Sequence, residues 1–133
     1  MGESNVFKKI VMATAAIIAF FFGDDPAVVK FVYALIICQM FDIITGLFKM
    51  IYLKEKFDYH FFFLGIMKKI IMLVAVSFGY FLDMFQILGA ALDVCFETAF
   101  AAAFITVELI SIISNFKMVG LSLPLIDKYV KLD

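Results

Sequence analysis

No arginine and no tryptophan occur among the 133 residues of this chain, and proline, cysteine and histidine number only two, two and one. Each scarcity closes off a class of function. All eleven basic residues are lysines and the formal net charge is −1, so the planar guanidinium fork that grips phosphates and base edges is missing and no nucleic-acid partner is expected. Cys38 and Cys95 are too few and too far apart for a disulfide framework. They read as small apolar residues. His60 lacks any HExxH or CxxC companion, so no metal site is expected and the ring reads as an interfacial aromatic. No nucleophile stands with a base and no glycine-rich phosphate loop occurs, so neither catalytic residues nor a cofactor are expected. The chain reads as a non-enzyme.

What fills the sequence instead is hydrocarbon. Hydrophobic residues make up 65% of it, with 18 phenylalanines and a mean hydropathy of +1.09, against about half in soluble domains. Charged residues, at 17%, fall in short clusters between long apolar runs. Such a chain cannot cover a globule with polar surface, so its solvent is lipid.

The runs predict an all-α integral membrane bundle, one domain over 1–133, with spans near 10–23, 27–48, 66–87 and 90–116 and a short tail over 117–133. The first run, "IVMATAAIIAFFF" after Lys8 and Lys9, resembles a signal peptide but has no small-x-small cleavage pattern, so a retained helix is expected. It is the shortest span, and a three-span arrangement with this segment on the membrane surface is the alternative. Asp25 followed by Pro26 marks the second start as an N-cap and a proline at the first helical position. "FDYHFFFLGIMKKI" suits the headgroup level and predicts an interfacial segment before the third span, with Lys68 and Lys69 snorkelling. Four spans put Lys8, Lys9, Lys49, Lys54, Lys56, Lys68, Lys69, Lys117, Lys128 and Lys131 on one side and Lys30 alone on the other. That asymmetry predicts both termini in the cytoplasm.

Polar residues within the spans are the candidate functional positions. At 100° per residue Asp93, Glu97, Glu108, Ser111 and Asn115 share a sector of about 60° on the fourth helix. Each acid near mid-membrane costs about 2.5–3.5 kcal/mol, so the stripe should face protein or water. Either Glu108 finds a lysine within one chain while Asp93 and Glu97 sit at the outer interface, or the stripe meets other subunits or lines a wet path. Gln39, Asp42, Thr45, Gly46 and Lys49 share a broad face of the second helix, where Asp42 is a functional candidate or the partner of Lys49 or of a third-helix lysine. Ala99 with Ala103, and Ala15 with Ala19, form small-xxx-small pairs that let helix backbones approach.

Three blocks carry a family resemblance. "FDIITGLFKMIYLKEKF" holds Asp42, Gly46, Lys56 and Phe57; "LGIMKKIIML" holds Gly65, Lys68 and Lys69, followed by Asp83; "VELISIISNFKMVGLSLP" holds Glu108, Ser111, Ile112, Asn115, Gly120 and Pro124. In this order they resemble the phage-lysis and toxin-secretion holins, the clostridial holin-like toxin-release type included. The resemblance implies a protein of the bacterial inner membrane that forms homo-oligomers and opens a lesion through which an endolysin or a large toxin leaves the cytoplasm. An antiholin would be a further partner. Two other readings stay open: a small ion- or proton-coupled channel or transporter using Asp42 or Glu108, and a non-pore membrane partner such as an antiholin.

Overall fold

The computed structural model describes residues 2–85 and 95–120. They form four α-helices and no strand: α1 (Gly2–Phe22), α2 (Pro26–Tyr52), α3 (Tyr59–Phe85) and α4 (Phe96–Met118). At 1.5 Å per residue these measure about 31, 40, 40 and 35 Å, enough for a hydrocarbon layer of about 30 Å. All four are long and apolar enough to cross a membrane.

Local chemistry sets the boundaries. The Asp25 carboxylate accepts from the Ala27 N–H at 3.0 Å, with Pro26 opening α2. The Asp58 carboxylate likewise accepts from the His60 N–H at 2.9 Å. This explains why the aromatic stretch expected as a separate interfacial segment is the first part of α3. Its residues 59–65 are all exposed, so they project from every side of the helix, as a headgroup-level collar would. α1 also begins earlier than expected, at Gly2 rather than near residue 10, and carries Lys8 and Lys9 on its first turns. The expected limits at Ile87 and Ala90 lie outside the described residues, as do Asp93 and Pro124.

The burial pattern is that of a protein turned inside out. Among the described residues the buried apolar ones are Val32, Leu35, Met72, Val76 and Ala101; the buried polar or charged ones are Gln39, Thr45, Ser77, Glu97, Glu108 and Asn115. Large apolar side chains face outward on every helix. In water such a surface would aggregate; in lipid it costs nothing, and polar groups must turn inward.

Helices α2, α3 and α4 enclose the core of Val32, Leu35, Val76 and Ala101. Gly79 sets how close α3 and α4 come. A Cβ there would stand 2.9 Å from the Phe100 ring, 3.0 Å from the Glu97 nitrogen and 3.1 Å from its Cα. Backbone cannot yield as a flexible side chain can. Gly79→Leu is therefore expected to destabilise the bundle by about 1–3 kcal/mol, read as a lower Tm in detergent micelles; Gly65→Leu, at a glycine with nothing within 4 Å of its added Cβ, serves as the control.

α1 holds on by its end alone. Residues 2–17 are exposed throughout, whereas Phe22 packs against the core. The buried Ser77 hydroxyl donates to the Phe21 carbonyl at 2.8 Å. Gly23, at φ +82°, turns the chain over Tyr80, whose ring leaves no room for a Cβ.

Candidate functional site

Midway along the three packed helices, the polar residues of α2 and α4 meet one lysine of α3. Counted from the helix starts, Asp42, Lys69 and Glu108 lie about 24, 15 and 18 Å along α2, α3 and α4. The Lys69 ammonium donates to Asp42 Oδ2 at 2.6 Å and to Glu108 Oε2 at 2.7 Å. The Ser111 hydroxyl donates to Asp42 Oδ1 at 2.5 Å. Asn115 Nδ2 donates to the same oxygen at 3.2 Å and to Thr45 Oγ1 at 2.9 Å, and the Thr45 hydroxyl in turn donates to the Phe41 carbonyl at 2.8 Å. Gln39 closes the network on α3 by donating to the Lys69 carbonyl at 3.1 Å.

Helical spacing assembles this cluster. Gln39, Asp42 and Thr45 recur at three-residue steps on α2; Glu108, Ser111 and Asn115 recur at three and four on α4. Both faces turn toward Lys69. Of the alternatives for Asp42, the structure pairs it with the third-helix lysine, and Glu108 takes the same partner. Lys68 is exposed, as snorkelling requires. Lys69, expected beside it at the headgroups, instead turns inward, because two carboxylates in a low-dielectric interior outweigh hydration of one ammonium. Formally, two carboxylates against one ammonium leave the cluster one negative charge.

A cavity of about 460 Å³ runs from the α2–α3 turn to this cluster. Asp42, Gly46, Lys56, Phe57, Gly65 and Lys69 border it, so the first two resemblance blocks converge on one place. Lys49 lies on its wall as well.

The fourth-helix stripe divides in two. Glu97, 3% exposed, is buried about 16 Å along the helix from Glu108, in a separate acidic group near the start of α4. Asp83 reaches that start from α3. Its two oxygens accept from the Phe96 N–H at 2.8 Å and the Glu97 N–H at 2.9 Å, capping a helix whose own N-cap residue, Cys95, makes no side-chain cap bond. The cap thus comes from another helix and ties α3 to α4 while meeting the positive end of the α4 dipole. Asp83→Ala is expected to cost about 0.5–2 kcal/mol, measured as a Tm decrease that Asp83→Asn partly avoids.

The small-residue pairs face away from this interior: Ala99 and Ala103 are exposed, as is Ala15, while Ala19 is half-buried. Gly120, at φ +90°, follows the end of α4. Two residues that the sequence reading passed over hold helices together, Ser77 and Gly79. The two small residues in "VSFGY" were the available signal: two apart, they lie on nearly opposite sides of the helix, and each opens a close approach among bulky neighbours, Ser77 to α1 and Gly79 to α4. Cys38 and Cys95 are free thiols. Among the described residues no three His, Cys, Asp or Glu side chains approach closely enough to hold a bare metal ion.

Four apolar helices, three of them packed around an ion-paired polar interior, define a multi-pass membrane protein. The chain belongs to the bacteriophage holin family, whose model matches residues 6–132. Comparison with curated proteins and with solved structures gives no match. Membership places the protein in phage lysis, among membrane proteins that in general are not enzymes.

Proposed function

We propose that the protein is a holin of the bacterial inner membrane, with both termini in the cytoplasm, that assembles with its own copies and opens a lesion releasing an endolysin or a large toxin. The observation that carries this reading is the Asp42–Lys69–Glu108 cluster. It stores a lumen's worth of polar groups inside a closed bundle, from which rotation of α4 would deliver Glu108, Ser111 and Asn115 to a hydrated lining. The exposed Ala99 and Ala103 on the opposite side of α4 suit close approach of a second copy. The lysine asymmetry supports the orientation even with Lys69 withdrawn into the bundle, since the nine remaining lysines on that side still oppose Lys30 alone.

Induced expression in bacteria with a co-expressed endolysin tests the proposal, following entry of an impermeant dye together with escape of a folded cytoplasmic enzyme. Abrupt dye entry with enzyme escape is expected. The cavity leading to Asp42 and Lys69 favours a second reading, a small-ion or proton path, which predicts ion leakage while the enzyme stays inside. Dye exclusion with intact growth would point to a docking partner such as an antiholin.

A further inference from the structure

At the end of the bundle away from the α2–α3 turn, the fold gathers negative charge, and among the described residues no lysine borders it. A cavity of about 290 Å³ is bordered by Asp24 and Asp25 of the α1–α2 turn, Asp83 and Tyr80 of α3, and Glu97 of α4. Packing forces the convergence: Gly23 seats the turn on Tyr80, Ser77 holds the Phe21 carbonyl, and Gly79 lets α4 close on α3. Lys30, the lysine nearest in sequence, lies 5.9 Å from the centre of the Phe31 ring and does not border the cavity.

The four acids are not equally engaged. Asp83 spends both oxygens on the α4 cap, and Asp25 Oδ1 caps α2. Glu97 is different. It is 3% exposed, borders the cavity, and its Oε1 has no hydrogen-bond partner among the described residues. A buried carboxylate oxygen left alone is costly, and three further carboxylates around the same space raise that cost.

We propose that this cavity binds one hydrated divalent cation, of the Mg²⁺ class, between the α1–α2 turn, the last turns of α3 and the start of α4. Among the described residues no three side chains stand at the distance a tight bare-ion cage needs. The volume and the spread of the carboxylates instead suit an ion that keeps its waters, and Mg²⁺ sheds them reluctantly and is ordinarily held by one or two carboxylates. Bound waters would donate to Glu97 and to the free oxygens of Asp24 and Asp25. The ion would clamp the one end by which α1 is attached. The sequence shows no metal-ligand spacing, because these acids come from three separate segments that only the fold brings together.

The test uses the full chain in nanodiscs of zwitterionic lipid, at constant ionic strength. Electron paramagnetic resonance should count about one Mn²⁺ per chain, displaced by Mg²⁺, and Mg²⁺ should raise Tm along a saturating curve. Glu97→Gln and, separately, Asp25→Asn, which keeps the cap, should each weaken Mn²⁺ binding at least tenfold. Glu97→Gln should also raise Tm in the presence of a chelator by relieving repulsion. No bound Mn²⁺, a Tm rise matched by Na⁺, or unchanged binding in both variants would overturn the site. If Glu97→Gln fails to fold, Asp24→Asn takes its place beside Asp25→Asn with the same expected loss. None of these readouts requires pore formation, so they stand apart from the release function.

Discussion

Lys69→Met is expected to be the most damaging single substitution in the interior, lowering stability by about 3–5 kcal/mol, the usual cost of removing one partner from a buried ion pair. Lys69 neutralises two carboxylates from two different helices, at 2.6 and 2.7 Å. Its loss leaves Asp42 and Glu108 facing each other, with Ser111 and Asn115 donating to Asp42 and, among the described residues, no other hydrogen bond to Glu108. Methionine fills a similar volume, so packing is largely conserved and the defect is electrostatic. The expected readout is a collapse of Tm in micelles and rapid proteolysis in cells. Near wild-type Tm and accumulation for this variant would show that the cluster does not hold the helices together.

The same logic predicts a rescue. Asp42→Asn and Glu108→Gln, added to Lys69→Met, remove both orphaned charges, and the amide oxygen at position 42 can still accept from Ser111 and Asn115. A neutral, hydrogen-bonded cluster is often as stable as the ion pair it replaces. The triple variant should therefore regain most of the lost Tm. Additive loss instead would mean that each residue acts through its own packing, with no shared charge balance.

The helices were readable in the sequence because membrane solvation demands long apolar runs, and Asp25–Pro26 announced the start of α2. Boundaries depended on finer chemistry. Asp58 carries α3 back through the aromatic run, and no composition rule separates a helix at the headgroup level from a segment lying along it. The cluster was half legible. Periodicity on α4 grouped Glu108, Ser111 and Asn115, and Asp42 with Gln39 and Thr45 on α2, since one helix face is a local property. That both faces take the same lysine depends on helix crossing, to which Lys69, beside Lys68 in an apparent snorkelling pair, gave no local clue. For the same reason Glu97 was grouped with Glu108 by angle, although the structure separates them by three turns and gives Glu97 different neighbours.

Glu108→Gln is expected to insert and fold yet delay lysis. The substitution leaves a carbonyl to accept from Lys69 and brings the cluster from a formal charge of −1 to neutral. An uncompensated acid at this depth carries an insertion cost of about 2.5–3.5 kcal/mol, so relieving part of it should stabilise the closed bundle. A glutamine also gains less than a carboxylate from entering a hydrated lumen. Both differences act in one direction: the closed state falls in free energy and the open state loses its advantage. The variant should thus show a Tm at or above wild type in micelles together with later dye entry and enzyme escape in the induced time course. Asp42→Asn should act less cleanly, because Asp42 also receives Ser111 and Asn115 on the oxygen opposite Lys69. Wild-type lysis timing for Glu108→Gln, at equal membrane accumulation, would remove the charge of this cluster from the opening step.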